Sequence, residues 1–140
     1  MTGPESTTAH RREPLYEAAE LLERAAAEAV DGPAWRRDIR HAVRASTLAL
    51  ERHLDSLAGG IGLGADITTE HPRLLHALEH LEAAQARLLV DLWEAQDAGS
   101  GTVDPGLSRR LRALATQLRH AADDEVDLLY ESLNEPMGQD

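Results

Sequence analysis

Apolar residues return every three or four positions along four stretches of this chain, the spacing that gives a helix one buried face. In the first stretch Leu15, Ala18, Leu22, Ala25 and Ala29 fall on one side, with Glu17, Glu20, Glu23 and Glu28 elsewhere. The second carries a seam of Ile39, Val43, Ser46, Leu50, His53 and Leu57. Its steps alternate between four and three, as packing between helices requires. Leu74, Leu78, Leu81, Leu88 and Leu92 mark the third stretch, and Leu107, Leu111, Leu114, Leu118, Ala121, Glu125 and Leu128 the fourth. Two polar residues, His53 and Glu125, thus stand where the seams call for leucine.

Punctuation between the stretches sets the boundaries. Pro14, Pro33 and Asp104-Pro105 suit helix starts, because a first-turn residue has no partner for its N–H. Thr68 or Thr69 is placed to cap the third helix. Asp31-Gly32 and Gly99-Ser100-Gly101 read as breaks. The predicted helices span 14–30, 33–57, 69–98 and 104–134. Residues 1–13 and 135–140 are polar and aperiodic and read as flexible tails around one domain over 14–134. Short links favour antiparallel neighbours, so the predicted fold is all-α, an antiparallel up-down-up-down four-helix bundle. The longest link, AGGIGLGADITT over 58–69, is too rich in glycine for a stable helix and reads as a flexible connection, with a lid over 59–69 as the alternative. Its glycines follow a helix instead of a strand, so they are not a phosphate loop.

Composition narrows the chemistry. There is no Cys, which excludes disulfides, thiolate metal sites and thiol nucleophiles. All 14 basic residues are Arg, which excludes lysine Schiff bases. A net charge of -11 opposes nucleic-acid binding, since phosphates are repelled. The runs at Arg36, Arg37, Arg40, Arg44 and at Arg109, Arg110, Arg112 lie among acids and read as ion-paired surface. No apolar run approaches the about 20 residues of a membrane span, and the N-terminus lacks the apolar core of a signal peptide. The expected location is the cytoplasm, without a membrane partner.

Candidate chemistry rests on the polar residues that turn inward. His76 and His80 have the spacing of a helical metal pair, yet they face away from the leucine stripe, whereas His71 and Gln85 fall on it. Counting from helix ends places His53, His71 and Glu125 at one end of the interior, beneath the glycine loop, with Gln85 deeper. Imidazole and carboxylate together suit iron, manganese or zinc. The competing reading is a His–Glu pair that satisfies itself by hydrogen bonding. Ser46 is two turns from His53, too far to form a nucleophile–base pair, so an enzyme is not expected.

The segments LERHLDSL around His53, HPRLLHALEHLEAAQARLL in the third helix and LRHAADDEVDLLYESL in the fourth resemble a divergent hemerythrin-like (HHE, cation-binding) bundle over residues 33–134. That family holds a diiron centre through histidines of all four helices and two carboxylates. His53 matches the histidine of the family's His-x3-Glu, but Leu57 stands at the carboxylate position. His76 and His80 match its His-x3-His. His120 and Glu125 match the spacing of its fourth-helix histidine and aspartate. The first helix has no histidine within it, and His10 precedes Pro14. The resemblance therefore implies at most four ligands, His53, His71, His120 and Glu125. A single ferrous ion, or zinc or manganese, held by His53, Glu125 and one further histidine would serve sensing or storage. The alternative is a metal-free bundle used as an interaction or scaffolding module, as a homodimer or with a protein partner. Ile61, Leu63, Ile67 and Trp93 are its candidate surface.

Overall fold

The computed structural model describes residues 4–28, 33–58, 62–98 and 106–134, with side chains over 14–28, 34–57, 62–97 and 106–134. The described residues are all-helical. The elements are α1 (Pro4–Ala27), α2 (Pro33–Ala58), α3 (Leu63–Glu70), a 3-10 turn (Pro72–Leu74), α4 (Leu75–Ala98) and α5 (Gly106–Asn134). Among the long helices, α1 packs on α2 and α5, and α4 packs on the same two.

The periodic seams are the buried faces. Leu22, Val43, Leu92 and Leu111 belong to one large apolar cluster drawn from all four long helices. Trp35 fixes the start of α2 by donating its indole N–H to the Ala25 carbonyl, 2.7 Å away in the interior. Tyr16 of α1 donates to Asp123 of α5 at 2.6 Å. Arg119 of α5 pairs with Glu23 of α1. That hydrogen bond holds the Arg119 guanidinium above its ordinary value, against a smaller opposing effect of burial.

Three boundaries differ from the sequence expectation, among them the start of the third helix, which is at Leu75 instead of 69. Helix α1 begins at Pro4, ten residues before Pro14, so Pro14 lies inside it. The rule that placed Pro14 at the first helical position applies equally to Pro4, and the polar composition of residues 4–13 gave no sign of it. The glycine-rich link contains a helix, α3, with Leu63, Gly64 and Ile67 buried. Propensity argues against a helix there, and burial overrides it. Leu63 and Ile67 join Leu78, Leu81 and Leu128 in a second apolar cluster.

Two glycines make the placement of α3 feasible. Gly62, just before the helix, has φ 110°, a backbone that side chains rarely adopt. Gly64 lies so close to the end of α2 that an added Cβ would stand 2.2 Å from the Leu57 carbonyl oxygen. Thr68 and Thr69 do not cap the following helix as expected. Their hydroxyls bond back to the Gly64 and Ala65 carbonyls, both at 2.8 Å. The turn into α4 is instead built on His71, whose N–H donates to Ile67 and whose carbonyl accepts from Leu74. The expected breaks at Asp31-Gly32 and Gly99-Ser100-Gly101, the Asp104-Pro105 start, the tail at 135–140 and Ile61 lie outside the described residues.

Candidate functional site: a buried His–Glu pair

The two polar residues that interrupt the seams meet. His53 of α2 is 5% exposed and Glu125 of α5 is 2% exposed. Nε2 of His53 lies 2.6 Å from Oε1 of Glu125. Burial removes both from water, and each is the other's compensation. Nδ1 of His53 is buried and has no hydrogen-bond partner among the described residues.

The pair lies between the two apolar clusters. His53 follows Leu50, and Glu125 follows Ala122; both of those belong to the large cluster. Leu128, one turn beyond Glu125, belongs to the cluster under α3. On α4, Gln85 falls between Leu81 of the second cluster and Leu88 of the first. It is fully buried, and neither of its amide atoms has a partner among the described residues.

The other expected ligands do not join. His71 is buried, but at the junction of α3 with the following turn. His120 is exposed. It stands five residues before Glu125, and at about 100° per residue that turns it roughly 140° away. His76 and His80 are exposed as well, as the helical wheel required. His10 lies among residues whose side chains are not described. Among the described residues no three His, Asp or Glu side chains are arranged to hold a metal ion. A diiron centre needs several imidazoles and carboxylates aimed at one point, and the described residues do not fit it.

The hydroxyl of Ser46 donates to the Ala42 carbonyl of its own helix at 2.8 Å, so it is committed to the backbone. Of the expected interaction residues, Leu63 and Ile67 are inside, while Trp93 is 46% exposed. Trp93 donates across to Glu51 of α2 at 3.4 Å. No described helix is long and apolar enough to cross a membrane.

Sequence reading missed a groove beside the pair. A cavity of about 510 Å³ runs along α2, with Pro14, Ala45, Leu48 and Ala49 on its apolar wall. Arg52, Ser56 and His53 supply its polar end. The available signal was a second stripe on α2, beside the main seam, in which Ala45, Ala49 and Ser56 are small.

Comparison with protein-family models, curated proteins and solved structures finds no match for this chain.

Proposed function

We propose that this chain is a metal-free, hemerythrin-like four-helix bundle, with α1, α2, α4 and α5 running up-down-up-down, that serves as a binding and interaction module. The observation that carries this reading is the His53–Glu125 bond. The two innermost donors satisfy each other at 2.6 Å instead of converging with a third. Leu57 at the family's carboxylate position and the outward His120 point the same way. The packing of each long helix on two others, with short connections from α1 to α2 and from α4 to α5, supports the topology.

The metal reading keeps one observation in its favour. A carboxylate behind an imidazole is the usual support of a histidine ligand, and Nδ1 of His53 is unpartnered among the described residues. One imidazole nitrogen is too few donors for a closed site. The test is metal analysis of protein purified without chelators, followed by anaerobic addition of Fe²⁺ and of Zn²⁺. Uptake well below one equivalent, with an unchanged melting temperature, is expected. Stoichiometric uptake that disappears in His53→Leu would reject the metal-free reading and restore a sensing or storage role.

A further inference from the structure

The outward face of α2 is ordered by charge. Arg37, Arg40, Arg44, Leu48, Glu51 and Asp55 follow one another at steps of three or four, so they share the side of the helix opposite its buried seam. All are exposed except Glu51, which is half-buried. The face is basic over its first half, apolar at Leu48 and acidic beyond. Sequence reading set its arginines in an ion-paired surface, but among the described residues no acid pairs with Arg37, Arg40 or Arg44. Beside this face, α4 exposes Val90 and Trp93. The Trp93 indole donates to Glu51 at 3.4 Å, which sets that apolar patch against the middle of the α2 face.

The order on α2 is self-complementary. Arg44 and Glu51 are centred on one point, between Thr47 and Leu48, and Arg40 and Asp55 are centred on the same point. A second α2 laid antiparallel across that point meets Arg44 with Glu51 and Arg40 with Asp55, each contact occurring twice, with Leu48 against Leu48 at the axis. At a crossing angle of about 20° the outer pairs, about 11 Å from the axis, stay within side-chain reach. A foreign partner would not require the two halves to match each other about one centre. Helix α5 has a similar order of charge, but its Arg110 and Arg119 are taken up by Glu94 and Glu23. Its exposed apolar residues, Tyr130 and Leu133, lie at the acidic end and not between the charges.

Size and net charge also permit the contact. Helix α2 has 26 residues, a length of about 39 Å. With α4 alongside, each helix about 10 Å wide, the face approaches the about 800 Å² per partner of a standard interface. Two copies at -11 repel each other, but screening at about 0.15 M salt confines that repulsion to about 8 Å. What faces across the contact then decides, and α2 carries five arginines against three acids. We infer that this chain forms a two-fold dimer through the α2 face, with Arg44 and Arg40 of each copy paired to Glu51 and Asp55 of the other, and with Val90 and Trp93 at the flank. The inference rests on the reading of the chain as an interaction module and names a second copy as its partner.

Sedimentation equilibrium of the full chain from about 5 to 300 µM, at about 0.15 M ionic strength, is the experiment. A reversible monomer–dimer equilibrium is expected, with no species beyond the dimer, because an isologous contact closes on itself. Arg44→Glu and Glu51→Arg should each weaken the dimer about tenfold or more, since each sets like charges against each other twice. Glu51→Arg also reduces the net negative charge, so a general charge effect would strengthen association instead. Mixing the two variants in equal amounts should restore the dimer, because each offers the charge that the other lacks. Leu48→Glu should abolish association by placing two carboxylates at the axis. None of the three positions is buried, and circular dichroism verifies that each variant keeps its helices. A monomer throughout, a mass beyond the dimer, a dimer that neither reversal weakens, or a mixture that stays monomeric would overturn the inference. A monomer throughout would leave the interaction reading standing with a foreign partner. Stoichiometric metal uptake through His53 would instead reject the metal-free reading and leave the sedimentation result untouched.

Discussion

At the scale of single residues, His53 and Glu125 are the pair whose removal separates structural from chemical roles. Replacing only one leaves a buried polar partner uncompensated, so His53→Leu or Glu125→Leu alone should cost about 3–5 kcal/mol. Replacing both with Leu removes the orphan as well and should be neutral or stabilising by about 1–4 kcal/mol. Urea denaturation of the four forms measures this coupling directly; additive losses would mean that the bond contributes nothing as a pair. Gln85 makes a related case. Its amide is buried without a protein partner among the described residues, and Gln85→Leu should stabilise the fold by about 1–3 kcal/mol, read as a raised urea midpoint. A loss instead of a gain would indicate that internal water already satisfies the amide. His53 and Glu125 were legible in the sequence because each interrupts a leucine seam. Their meeting was legible too, because counting from helix ends sets both at one end of the interior, and the self-satisfied His–Glu pair was one of the two readings open there. The same count fails for His71. The third helix was expected to run through it, but α3 intervenes between α2 and α4, and His71 lies in the turn after α3.

At the scale of elements, α3 is held by packing and by two glycines more than by its own helical preference. Gly64→Ala would place a methyl group against the Leu57 carbonyl, where the ideal Cβ position is 2.2 Å from oxygen. Backbone cannot yield as a flexible side chain does, so this substitution should cost about 1–3 kcal/mol. The loss should be concentrated in α3, where faster amide hydrogen exchange is expected, while the amides of α2 around Val43 stay protected. A uniform acceleration across the molecule would show that α3 and the long helices unfold as one unit. The four long helices were legible because each buries an extended apolar stripe, and their seams reappear in the core apart from Leu74, which is only partly buried, and Ala29, which lies outside the described residues. Helix α3 was not legible. Its sequence, LGADITTE, is eight residues long, includes a glycine, and carries two large apolar residues, Leu63 and Ile67. Local propensity points to a loop, and only the hydrophobic end of α4 and α5 beneath it makes the helical form favourable. The early start of α1 at Pro4 escaped for the opposite reason, since residues 4–13 carry no apolar stripe to announce a helix.

At the scale of the whole molecule, charge sets the conditions under which the fold is most stable. A net charge of -11 on 140 residues places the surface under self-repulsion, which opposes the compact state. The surface ion pairs act in the other direction, including Arg119–Glu23, Arg110–Glu94 and Arg24–Glu20. Exposed pairs of this kind contribute about 1 kcal/mol or less each. The Arg119 guanidinium is held above its ordinary value, foremost by the Glu23 hydrogen bond. A raised value stabilises the fold below the unfolded value and loses that stabilisation only as pH rises through the folded one. On the Arg119 side, the pair therefore adds no pH dependence in the neutral range, and salt is the lever that discriminates. Raising ionic strength from about 0.01 M to about 0.15 M shortens the screening length from roughly 30 Å to 8 Å. Repulsion summed over the surface acts at long range and is suppressed almost entirely, whereas pairs in direct contact lose only part of their attraction. Salt should therefore stabilise this protein, with a melting temperature several degrees higher at the upper ionic strength. Thermal melts followed by circular dichroism in sodium chloride test the sign. A fall in melting temperature would show that the surface pairs, and not the net charge, dominate its electrostatics.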